Sequence, residues 1–151
     1  MTWTDALNRQ RVLQEALARV QGARPNALQL ELAAKEELAE LLQKVKARWA
    51  WWKRNDKDFT AGERGEVLEE LADVLHFVLG WFLVEGRKPP SEPPQVFDLV
   101  QAAVQGFRAL NPEQLFLALR ALARSLGLTD DEVLVAYMRK SAVNLERWGA
   151  R

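Results

Sequence analysis

Residues 74–84 read VLHFVLGWFLV, a run that only His76 and Gly80 interrupt. Wound as a helix it is apolar on every side, and such a helix is normally buried. It is too short to span a bilayer, so the expectation is burial inside the fold. Just before it stand Glu70 and Asp73, three residues apart and therefore on one helical face. An isolated charge on a buried helix is too costly, so acids placed there must be paired or hold a metal ion.

A second pair with the same spacing comes earlier, in EELAE at 36–40: Glu37 and Glu40. Four carboxylates converging in a chain without cysteine make a hard, oxygen-rich site suited to Mg²⁺ or Mn²⁺. Glutamates at this spacing are also common on a solvated helix face, which is the reading that suits Glu36 and Glu69. It suits Glu70 and Asp73 poorly, because Val74, Phe77 and Trp81 share their face. Glu37 sits at the edge of a stripe formed by Leu38, Leu41, Leu42, Val45, Trp49 and Trp52, with Glu40 a little beyond it. Asp73-x-x-His76 suggests half of a di-iron site, but those bundles use Glu-x-x-His twice. His76 is the one histidine in the chain, so a symmetric site within one chain is excluded. It is expected to be a satisfied core histidine or to hydrogen-bond a ligand.

Helix signals cover most of the chain. A first amphipathic helix is expected from about Thr4 to Gln21, stopped by Gly22, and a second from Pro25-Asn26 to about Lys53. A polar loop follows at 54–59. Thr60 and Glu63 form a capping box that opens a third helix ending at Gly86. Residues 87–94 (RKPPSEPP) cannot stay helical. A fourth helix is expected over about 94–109, and a fifth from Asn111-Pro112 to about Ser125. Thr129 and Glu132 cap a last one, to about Trp148. With no alternating strand pattern, the predicted fold is all-α, a bundle of about six helices in a single domain spanning 1–151.

Twenty-one basic and 21 acidic residues cancel, which disfavours general nucleic-acid binding. The absence of cysteine excludes disulfides and fits a reducing compartment. No basic start leads into an apolar leader, so a soluble cytoplasmic protein that engages no membrane is expected. Trp81, Phe82, Leu83 and the apolar faces of the last three helices offer more surface than so small a monomer could cover, which predicts a homodimer.

Two further clusters stand out. Trp49, Trp51 and Trp52 precede Lys53 and Arg54, placing flat aromatic surface beside positive charge, as either core packing or a base-stacking platform. Lys140, Asn144 and Arg147 follow Tyr137 and form one polar stripe on the last helix. The order EExxE, WxWWK, ExxD with a histidine three residues later, and KxxxNxxR resembles the dimeric all-α dUTPases, within the MazG-like nucleoside-triphosphate pyrophosphohydrolases. The resemblance runs from about Leu13 to Arg147, loosely over 86–128. It implies that Glu37, Glu40, Glu70 and Asp73 hold Mg²⁺, with Glu37 accepting a proton from the attacking water. It implies that Trp49, Trp51 and Trp52 border the nucleotide, that His76 faces the base, and that Lys53, Lys140, Asn144 and Arg147 meet phosphates or sugar. The family's first helix often carries QxxLN for uracil; here Gln14 fits and Ala18 replaces the asparagine. The implied activity is dUTP pyrophosphohydrolysis. The alternatives are a broader dNTP pyrophosphohydrolase and a non-enzymatic helical dimerisation module.

Overall fold

Side chains that close back on their own first turn set most helix starts. The computed structural model describes residues 1–55 and 57–149. It holds α1 (Trp3–Gln21), α2 (Ala27–Lys44), α3 (Lys46–Trp49), α4 (Ala61–Glu85), α5 (Leu99–Arg108), α6 (Pro112–Ser125) and α7 (Asp130–Gly149). Thr2 with Asp5, Asn26 with Gln29, Thr60 with Glu63, and Asp98 with Gln101 form reciprocal capping boxes. Thr129 and Glu132 do the same before α7, and Asn111 caps α6 ahead of Pro112. Each such cap is worth about 1 kcal/mol. Gly22 and Gly86 end α1 and α4 at φ 69° and 66°, a left-handed conformation that glycine adopts without steric cost. No strand occurs among the described residues.

α4 is the centre, packed by α1, α2, α6 and α7, while α5 and α6 pair beside it. Its run from Val74 to Phe82 is buried except for Phe77, which is partly covered. Phe82 meets the edge of Phe116, whose own ring meets Trp3. Withdrawing an aromatic side chain of this size from water contributes roughly 1.5–3 kcal/mol. Trp81 and Phe82 are 2% and 0% exposed, so neither is part of an uncovered surface. The chain's own α6 covers Phe82, because hydrophobic burial needs only an apolar neighbour, not a second molecule.

Two helices differ from their sequence patterns. The second stops at Lys44, since Val45 leaves helical geometry at φ −107°, ψ 21°. The Trp49 indole then donates to the Leu42 carbonyl at 2.8 Å, replacing an amide that a continuous helix would have offered. The stripe therefore does not continue to Trp52, and Trp51 and Trp52 are 84% and 55% exposed. The fourth expected helix begins five residues late, at Leu99, because Asp98 provides the cap. Upstream, Pro93 and Pro94 have no amide hydrogen to give a helix.

Candidate active site

α2 and α4 lie side by side, and each presents acids spaced by one turn. Ligand oxygens of Glu37, Glu70 and Asp73 lie within 4.8 Å of one another, as do those of Glu36, Glu37 and Glu40. Glu37 belongs to both groups and joins the two helices' acids. Glu36, assigned to solvent from sequence, stands in the second group. It reaches that group along α2 itself, one turn before Glu40, and it stays exposed to solvent.

Desolvation is the first cause that pushes the Glu37 carboxyl up to about 7, followed by the charges of Glu40 and Asp73, a hydrogen bond with Glu40, and the charge of Glu70. Glu70 is also raised, first by burial and then by Asp73 and Glu40, with Lys44 and Lys140 opposing. Glu37 Oε2 and Glu70 Oε2 are buried with no hydrogen-bond partner. Hard oxygen donors, two orphaned oxygens and a carboxyl driven toward neutrality are what a divalent cation would relieve. The residues fit such an ion.

Lys140 of α7 offers a local cation, its Nζ 2.7 Å from Asp73 Oδ1. One turn later, Asn144 Nδ2 stands 3.5 Å from His76 Nε2. His76 Nδ1 lies 2.7 Å from the Ala72 carbonyl. A carbonyl can only accept, so Nδ1 carries the hydrogen and Nε2 keeps its lone pair. Burial pushes the His76 pKa down, with Lys140 adding to this and the Ala72 bond and Asp73 opposing. The imidazole is thus neutral near pH 7. Tyr137, which precedes the polar stripe, is fully buried, and its hydroxyl donates to Gln10 Oε1 at 2.8 Å.

A cleft of about 540 Å³ opens beside the acids. Gln14, Glu37, Asp73, His76 and Asn144 line it, with Leu13, Leu17, Ala18, Leu30, Phe77 and Trp148 supplying apolar wall. Five residues singled out from four separate stretches of sequence therefore share one cavity. Trp49, Trp51, Trp52, Lys53 and Arg147 do not line it. Trp49 faces another groove with Arg48, Phe97 and Leu126, while Lys53 and Arg147 are exposed. The aromatic wall comes instead from Phe77 and Trp148. The spacing Lys140, Asn144, Trp148 at four-residue steps was the signal that could have found the latter.

The sequence matches the family described as dUTPase over residues 2–150. The chain belongs to that dUTPase family. None of the curated proteins and none of the solved structures matches it. As a dUTPase of the dimeric all-α type, it is a hydrolase acting on nucleoside triphosphates, with dUTP pyrophosphohydrolase activity and a nucleotide substrate. Its acidic groups suit the divalent-metal dependence general to dUTPases. No helix among the described residues is long and apolar enough to cross a membrane.

Proposed function

We propose that this cleft converts dUTP to dUMP and pyrophosphate, with Mg²⁺ (or Mn²⁺) held by Glu37, Glu40, Glu70 and Asp73. The observation that carries the ligand set is the pair of orphaned carboxylate oxygens on Glu37 and Glu70. When bound, the ion supplies positive charge to the phosphate oxygens and lowers the pKa of a water. Glu37, at the junction of the two acidic groups, is placed to take the proton of the attacking water. Lys140 has phosphate oxygens as an alternative to Asp73 for its charge. Asn144 and Arg147 follow it on α7 and would meet sugar and phosphate, with Lys53 at the outer phosphates. His76, neutral and tied to Asn144, borders the base. Gln14 offers its carboxamide to the base edge, whereas Trp49, Trp51 and Trp52 stand outside the cleft lining, so stacking on them requires a substrate that extends beyond it.

The reading extends to a single domain over 1–151, acting as a cytoplasmic homodimer without nucleic acid. With Trp81 and Phe82 covered, the support for a dimer moves to the exposed Val100, Val104 and Phe107 of α5. Light scattering that gives a stable 17 kDa species at micromolar concentration would refute the dimer.

A broader dNTP pyrophosphohydrolase is favoured by one observation: Ala18 lines the cleft where the family motif has asparagine. Pyrophosphate release from dUTP, dCTP, dTTP and dATP, with Mg²⁺ and with EDTA, separates the readings. Selective, EDTA-sensitive hydrolysis of dUTP is expected. Comparable rates on all four would establish the broader enzyme, and release insensitive to EDTA would refute the metal site.

A further inference from the structure

Gly80 stands in the interior of α4, where glycine weakens a helix relative to alanine. It is buried, and no turn or positive φ requires it there. A Cβ at this position would fall 2.6 Å from Gln14 Oε1 and 3.2 Å from Leu30 Cδ2. The first distance is far inside van der Waals contact, so a side chain at position 80 and the present placement of the Gln14 carboxamide exclude each other. Gln14 and Leu30 both line the cleft. The bare backbone of Gly80 thus lies under the Gln14 carboxamide, which α1 extends into this wall between Leu13 and Leu17.

We propose that Gly80 is a positioning residue for base selection: its missing side chain seats the Gln14 carboxamide and sets which end of it faces the nucleotide. With Gln14 Oε1 on the Gly80 side, the proposed pose offers a ligand the amide-nitrogen end with its two hydrogens. Such an end donates to a pyrimidine ring carbonyl and meets an exocyclic amino group donor to donor. A base bearing a carbonyl at ring position 4 is accepted there and one bearing an amino group is rejected, because the mismatch leaves buried polar groups unpaired. Ala18, one turn along α1, adds no polar group there, and Gln10 Oε1 is taken by the Tyr137 hydroxyl, so the way Gln14 is seated matters at this wall. The inference rests on the reading of the cleft as the nucleotide site.

The test is a double-mutant cycle on the full chain with Gly80→Ala, Gln14→Ala and the double variant, reading pyrophosphate release from dUTP and dCTP with Mg²⁺. Loss of one well-placed hydrogen bond corresponds to about tenfold in binding. Gly80→Ala is therefore expected to raise KM for dUTP and to shrink the dUTP-to-dCTP preference by about that factor, with kcat nearly unchanged. Adding Gly80→Ala to the Gln14→Ala background is expected to change KM less than about twofold, since coupled residues do not add. A Gly80→Ala loss that persists undiminished in that background overturns the seat, whereas a Gln14→Ala protein with the parent's KM and preference refutes the assignment of Gln14 to the nucleotide. If Gly80→Ala folds poorly, the double variant should melt higher than the single one, because the clashing amide is gone. A double variant equally impaired would overturn the proposal by a readout independent of turnover.

Discussion

Replacing Glu37 by glutamine keeps the side chain's shape and removes one negative charge from the junction of the two acidic groups. In the metal-free protein that charge is unfavourable: burial and the neighbouring Glu40, Asp73 and Glu70 lift the carboxyl from 4.5 to about 7. For a group fully withdrawn from water, a displacement of that size would correspond to about 3 kcal/mol between its charge states. Glu37 is only partly buried, and solvent screening reduces the figure to roughly 1–2 kcal/mol. The sign follows from proton linkage. The folded carboxyl holds its proton up to about pH 7 and the unfolded one releases it near 4.5, so this group's contribution is most favourable at low pH and is lost as pH rises through 7. Glu37→Gln should therefore melt higher than the parent at pH 8 in EDTA, by about 2–8 °C for a chain of this length. At pH 4 the two should melt nearly together. Mg²⁺ should reverse the order at pH 8, raising the parent's melting temperature more than the variant's, since only the parent keeps its full ligand set. Thermal unfolding followed by circular dichroism at both pH values, with EDTA and with Mg²⁺, measures all of this. A variant that melts lower than the parent at pH 8 in EDTA would refute the picture of a frustrated carboxylate cluster.

Asp73→Asn should lower Mg²⁺-dependent turnover more than about a hundredfold, since even residues behind metal ligands cost 10–100-fold, while far-ultraviolet circular dichroism keeps the parent's helical spectrum. Lys140→Met removes the cation paired with Asp73; in EDTA the protein should lose about 0.5–1 kcal/mol in urea unfolding, as expected for a part-exposed pair, and Mg²⁺ should recover most of it. Gly106→Ala would place a Cβ 2.9 Å from Leu38 Cδ2 and 3.5 Å from Leu115 Cδ1; both leucines are fully buried and cannot retreat, so the variant should lose about 1–2 kcal/mol in the same assay despite alanine's better helix propensity.

Local rules made much of this protein legible from its residues. A cap depends on two side chains three residues apart and on nothing distant, so Thr60 with Glu63 and Thr129 with Glu132 could be read directly, and the α4 and α7 starts with them. The end of α4 followed from Gly86 in the same way. The spacing of Glu37 with Glu40 and of Glu70 with Asp73 is likewise a property of one helix, as is the apolar circumference of 74–84, which is covered as far as Phe82 but leaves Val84 40% exposed. Even the coil between α4 and α5 was announced by its prolines, although the cap at Asp98, rather than the last proline, set where α5 begins.

Only the packing of helices against one another decided the rest. No single-helix periodicity says that α2 packs on α4 so that Glu37 meets Glu70 and Asp73. Nor could it say that Lys140 reaches Asp73 across 67 residues of chain, or that Asn144 turns its amide to His76. The tryptophan patch shows the limit in the other direction: helical spacing placed Trp49 and Trp52 on one stripe, but Val45 leaves the helix, and the stripe ends with it. Phe82 was apolar surface in search of a cover until α6 brought Phe116 against it. The physical reason is the same in each case. Hydrogen-bonded turns are set by neighbours a few residues away, whereas burial and charge proximity depend on which faces meet, and many pairings satisfy one local pattern.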